Sequence, residues 1–148
     1  MTDAKAIFLD TNILVYANIE TAPMHSAALT AIEKIYQTKR PIWISRQVLR
    51  EYLVIMTRPQ AFTEPLPKPT VIERIKYFQS KFTVADDTAA VTQELLQLTQ
   101  EYNFGGKQIH DANIVATMQA YDVPCLLTHN VKDFNKFSNI IEVETLAS

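Results

Sequence analysis

The feature that most constrains this chain is an apolar run of strand length, Ala6-Ile7-Phe8-Leu9, which stops on Asp10 and passes through Thr11-Asn12 into Ile13-Leu14. A run that is apolar at every position suits a strand buried on both faces, as in the centre of a parallel sheet. In open α/β sheets the ligand crevice lies at the carboxyl ends of the strands. Asp10 therefore stands where chemistry is expected, and the question becomes which side chains come to meet it.

The rest of the chain alternates between strand and helix patterns. Strands are expected at 42–44, 82–85, 124–128 and 140–143, and helices at 13–17, 24–38, 46–58, 70–80, 86–102 and 109–121. Such alternation means βαβ units, hence an α/β fold with a parallel sheet and helices on both faces. Ala28, Leu29, Ile32, Ile35 and Tyr36 form the apolar stripe of the 24–38 helix. Ser45, Thr70 and the pair Asp86-Asp87 are placed to cap the helices that follow them. Residues 59–69 hold four prolines and read as a loop inside the domain, because neither side would be complete alone. A chain of 148 residues is expected to form one domain, 1–148, with a real core.

Composition removes several classes of function. Two glycines, adjacent at Gly105-Gly106, cannot build a phosphate-cradling loop or a dinucleotide fingerprint. The single Cys125 excludes an internal disulfide framework and reads as a small buried hydrophobe. There is no secretory signal pattern at the N-terminus and no apolar run near the roughly 18 residues that span a bilayer. The expected setting is thus the reducing cytoplasm, away from membranes. A net charge of −2 argues against coating nucleic acid with bulk positive charge. It leaves room for a nuclease whose acidic pocket is neutralised by a metal ion.

Four acids stand out by position. Asp111 leads a stripe, Asp111-Ile114-Val115-Met118 at i, i+3, i+4 and i+7, that otherwise faces the sheet. A charge there is costly unless paired, hydrogen-bonded or metal-bound, although a first-turn carboxylate is also stabilised by the helix dipole. Glu51 lies one step off the apolar face of the 46–58 helix, either as a solvated edge residue or partner of Arg46 or Arg50, or as a site acid. Asp133 follows the 124–128 strand in Thr128-His129-Asn130-Val131-Lys132-Asp133-Phe134, where it and Asn130 are both within reach of Asp10. Carboxylates this close repel unless a hard cation joins them, and oxygen-only ligands suit Mg²⁺ or Mn²⁺.

The motifs Asp10-Thr11-Asn12-Ile13-Leu14, Ser45 through Glu51, His110-Asp111-Ala112-Asn113-Ile114-Val115-Ala116 and the 128–134 loop follow one another over almost the whole chain. As a set they resemble PIN-domain proteins, and among these the VapC-type toxin ribonucleases of bacterial toxin–antitoxin pairs. The resemblance implies a three-layer α/β/α sandwich around a five-stranded parallel sheet and Mg²⁺- or Mn²⁺-dependent endonucleolytic cleavage of RNA. It also implies a homodimer and a small antitoxin partner. By position, Asp10 and Asp111 match the metal-binding aspartates, Glu51 the second acid, and Asp133 or Asn130 the last site, with Asn12 and Thr128 as supporting polar groups. The working mechanism has metal held by Asp10 and Asp111 activating a water that Glu51 or Asp133 orients.

Other features read more plainly. His25, His110 and His129 lack zinc-ligand spacing, and Trp43 and Tyr52 read as core. Lys107, Arg46 and Arg50 are candidates for RNA phosphate contacts, against a default of solvated surface. Two rival functions remain: a response-receiver-like phosphate handler built on Asp86-Asp87, and a PIN-like module that binds RNA or protein without cutting. Asp10 closes the first strand, too early for the former.

Overall fold

The computed structural model describes residues 4–58 and 66–146. Five strands form one all-parallel sheet in the order β3-β2-β1-β4-β5. They are β1 (Ile7–Leu9), β2 (Ile42–Ser45), β3 (Thr83–Ala85), β4 (Cys125–Leu127) and β5 (Glu142–Glu144). Every residue of β1 and β4 is buried, as expected for strands covered on both faces. Ile7 pairs with Ile42 on one side and Cys125 on the other, and Leu9 pairs with Leu127.

The chain leaves β1 through α1 (Thr11–Asn18) and α2 (His25–Gln37), and leaves β2 through α3 (Arg46–Met56) and α4 (Lys68–Lys81). It returns from β3 through α5 (Ala89–Glu101) and α6 (Gln108–Ala120), crossing the sheet in the opposite direction. Right-handed crossovers that run in opposite directions place their helices on opposite faces. One layer therefore holds α1 to α4, in which α1 packs on α2 and α3; the other holds the tightly packed pair α5–α6. A short helix α7 (Val131–Phe134) and a 3-10 turn (Asn135–Phe137) link β4 to β5.

Local chemistry explains the helix starts, including two that differ from expectation. Ser45 caps α3 by accepting from the Val48 N–H. The 86–102 helix begins at Ala89 and is capped by Thr88, whose hydroxyl accepts from the Val91 N–H; Asp86 instead pairs with Arg46 at 3.0 Å. Thr70 caps nothing: α4 starts at Lys68 with Pro69 in its first turn, where a missing N–H costs no hydrogen bond. Of the expected 59–69 loop, 59–65 lie outside the described residues and 68–69 are helical. The last strand is displaced to Glu142–Glu144, because Ile140 and Ile141 complete the turn that packs Phe137 into the core.

Tyr52, Phe8, Phe134, Phe137 and Leu14 are among the fully buried side chains, while Trp43 packs on the core at its edge and against Tyr121. The α2 stripe is narrower than its periodicity suggests. Ala28 and Ile35 are buried, but Leu29 and Tyr36 are each 46% exposed. Among the described residues no helix is long and apolar enough to cross a membrane. Leu14→Ala should lower the free energy of unfolding by about 2–5 kcal/mol, and Leu29→Ser by less than about 0.5 kcal/mol. Urea melts of the two variants check the contrast.

Candidate active site

Three elements converge on Asp10. The residue follows β1 directly, its N–H donates to the Leu127 carbonyl of β4 at 3.0 Å, and its side chain caps α1 by accepting from the Thr11 N–H at 2.8 Å. Its other carboxylate oxygen accepts from the Thr128 hydroxyl at 2.8 Å and from the Asn12 amide at 3.3 Å. The result is a carboxylate only 6% exposed at the carboxyl edge of the central strand. The Asn12 amide oxygen accepts from the His129 N–H, and Thr128 also accepts from the Asn130 N–H, so the loop after β4 is tied to the same point.

Glu51 reaches the site from α3. Thr11 donates its hydroxyl to Glu51 Oε1 at 2.6 Å, and Gln47 donates to Oε2 at 3.0 Å. Thr11 thus bonds one acid through its backbone and the other through its side chain. Neither arginine pairs with Glu51: Arg46 is held by Asp86, and Arg50 is exposed. Asp111 stands half-buried in the first turn of α6, above buried Ile114, Val115 and Met118. Asp133 is exposed in α7, where its N–H bonds the Asn130 carbonyl.

Electrostatics tie these groups together. Burial pushes Asp10 up to about 6 against the downward pull of the Thr128 and Thr11 hydrogen bonds, with the charges of Glu51 and Asp133 adding to the rise. Asp111 is likewise pushed up to about 6, first by burial, then by the charges of Asp10, Asp133 and Glu51. Lys136 pulls it back slightly. Among the described residues, no lysine, arginine or histidine lies within salt-bridge distance of any of the four. Oxygen-only donors, one of them buried and none of them ion-paired, fit a hard divalent cation. Asp10, Glu51, Asp111 and Asp133 are the oxygen donors at this edge, but no three of them bring ligand atoms within 4.8 Å of one another.

A second group has a different character. Cys125, Glu142 and Glu144 bring one potential ligand atom each within 4.8 Å of one another. Here, however, Glu142 pairs with Lys5 at 2.7 Å and Arg40 grips Glu144 through two bonds of 3.0 and 2.8 Å. The Cys125 thiol donates to Glu142 and is pushed up to about 12, chiefly by burial. These charges are already matched within the protein. A cleft of about 1010 Å³ beside this group, between α2 and β5, is lined by none of the four site acids.

Of the remaining candidates, Lys107 is exposed at the start of α6, and the Asn130 side chain makes no hydrogen bond to Asp10. Three site residues carried no sequence signal strong enough to single them out: Thr11, Gln47 and Lys136. Gln47 had the best one, an amide one helical turn before Glu51 in a face otherwise apolar.

A parallel α/β sheet with carboxylates that have no ion-pair partner among the described residues at the carboxyl ends of its central strands places them where open α/β folds bind ligands. The chain belongs to the PIN-domain family, whose model matches residues 7–140. It is 25% identical over 130 residues to "Ribonuclease VapC24" of Mycobacterium tuberculosis, covering 87% of this chain and 89% of that protein. Among solved structures it is similar to VapBC2 from Rickettsia felis bound to a promoter DNA fragment, with a TM-score of 0.67 at 21% identity over 96% of this chain and 99% of that one. It is also similar to a toxin–antitoxin complex from Klebsiella pneumoniae, with a TM-score of 0.65 at 27% identity over 95% and 97%.

The raised carboxyls carry a stability consequence. A carboxyl whose folded pKa exceeds its unfolded value near 4 holds its proton longer in the native state, so stability falls as pH rises through roughly 4 to 6. With divalent ions chelated, the protein should gain stability on acidification from pH 7 to about 5. Asp10→Asn should abolish much of that gain and stabilise the protein at pH 7 by on the order of 2 kcal/mol. Thermal melts in EDTA across this range test it.

Proposed function

We propose that this protein is a metal-dependent endoribonuclease and the toxin of a toxin–antitoxin pair. The observation that carries the reading is that Asp10, Glu51, Asp111 and Asp133 act on one another at the carboxyl edge of the sheet, with no ion-pair partner among the described residues. The family match and the likeness to a VapC ribonuclease support it.

In this reading Asp10 and Asp111 hold Mg²⁺ or Mn²⁺, with Glu51 and Asp133 completing the oxygen set. Such an ion supplies charge neutralisation at the scissile phosphate and lowers the pKa of a bound water. The chain's own residues set the geometry. Thr128, Asn12 and the Thr11 N–H fix both oxygens of Asp10. Thr11 and Gln47 fix those of Glu51, which orients the attacking water or does so together with Asp133. Lys107, Arg50 and Lys136 stand on the exposed or half-exposed surface as contacts for RNA phosphates; Arg46 contributes only if it releases Asp86. The solved relatives include toxin–antitoxin complexes, which supports a small antitoxin as partner. Exposed Leu29, Tyr36, Val54, Ile72 and Tyr77 offer apolar surface to such a partner or to a second copy in a homodimer.

The test is incubation of the purified protein with total cellular RNA and Mg²⁺ or Mn²⁺. Discrete fragments that vanish with EDTA, and fall about 10²-fold or more in Asp10→Asn and Asp111→Asn proteins of unchanged fold, are the expected result. RNA left intact at every metal concentration by antitoxin-free protein overturns the nuclease reading in favour of a silent binding module.

A further inference from the structure

Gln47 is buried, at 5% exposed, beside the acids rather than in the apolar core. Its amide nitrogen donates to Glu51 Oε2 at 3.0 Å and to the His110 carbonyl at 2.7 Å, and its amide oxygen accepts from the Asn113 amide at 2.8 Å. These partners settle which way the amide faces. A flipped amide would set its oxygen against a carboxylate and a carbonyl, and its nitrogen against a donor. Both amide hydrogens and the oxygen are therefore used.

The partners belong to two layers. Glu51 rides on α3, on one face of the sheet; His110 and Asn113 flank Asp111 on α6, on the other. One amide spans the carboxyl edge of the sheet and ties the helix carrying one acid to the helix carrying another. It also completes the hold on Glu51: Thr11 fixes Oε1, and only Gln47, among the described residues, fixes Oε2. A glutamate held at one oxygen keeps its terminal rotation; held at both, it does not.

We propose that Gln47 is a positioning residue that sets the orientation of the Glu51 carboxylate, and its separation from Asp111, for a divalent cation. The proposal rests on the metal-dependent reading above, but metal binding can be measured apart from cleavage. Partners that orient a metal ligand through hydrogen bonds typically account for about 10–100-fold in affinity.

The experiment is Mn²⁺ titration of the folded protein by calorimetry and electron paramagnetic resonance, with kinetics on a defined RNA. It compares wild type, Gln47→Met, which keeps length but cannot donate, and Asn113→Ala, which leaves both Gln47 donors in place. Gln47→Met should weaken Mn²⁺ binding about tenfold or more and lower kcat, leaving KM for RNA within about twofold. Asn113→Ala should bind Mn²⁺ within about threefold of wild type. A lowered urea midpoint for Gln47→Met with unchanged Mn²⁺ affinity would mean that Gln47 only staples the layers, and overturns the proposal. If Gln47→Met does not fold, Gln47→Asn, which keeps the amide but cannot reach Glu51, decides on the same readouts. Wild type that cleaves RNA while the variant matches it in metal affinity sinks the positioning role alone. Wild type that neither binds Mn²⁺ nor cleaves sinks the nuclease reading with it.

Discussion

The structure turns on the burial of one carboxylate. Asp10 sits at the end of the central strand with only 6% of its surface exposed, and taking that charge out of water is unfavourable. The surroundings offset the cost in part through hydrogen bonds from α1 and from the loop after β4, each of which also fixes its own element against β1. Thr11 extends the arrangement to Glu51, and Gln47 extends it to α6. The polar contacts at this edge of the sheet thus radiate from a group whose burial opposes its charge.

The same kinds of side chain are treated oppositely elsewhere in the molecule. Near β5, Glu142 and Glu144 face Lys5 and Arg40, and both carboxyls are held below their ordinary range, in each case chiefly by a hydrogen bond from the cation. Nothing there calls for an added ion. At Asp10 and Asp111 the carboxyls rise instead, chiefly through burial, with like charges adding to it; Lys136 is the smallest of the influences on Asp111. Close approach of ligand atoms distinguishes the Cys125 group, and unmatched charge distinguishes the Asp10 group.

Much of this was legible in the sequence. The all-apolar 6–9 run marked the central strand, and the alternation of patterns gave the layers, because burial on both faces leaves a strong compositional imprint. Asp10, Glu51, Asp111 and Asp133 each interrupt an apolar pattern or follow a strand, which marks them in the sequence without assigning their role. Three helix details were not legible for physical reasons. Thr70 looked like a cap, but Pro69 fits the first turn of a helix and let α4 begin earlier. Asp86 was drawn away from capping by Arg46, and Thr88 took the role. Leu29 and Tyr36 share a face with Ala28 and Ile35, yet periodicity cannot tell how wide a strip the neighbouring layer covers. The bonds of the Thr11 hydroxyl and the Gln47 amide to Glu51 leave no mark in the sequence, because an amide or hydroxyl declares its role only through partners elsewhere in the fold.

The Thr128–Asp10 bond joins residues 118 positions apart, and β4 must insert beside β1 before it can form. Synthesis exposes Asp10 early and delivers Thr128, Asn130 and Asp133 last. Until then β1 has one neighbour, and the pocket lacks the wall that orients its deepest acid. Closing so long a loop carries an entropic cost and slows folding. The finished pocket is consequently a property of the chain from β1 through β4, since its deepest acid is oriented only when both strands are in place.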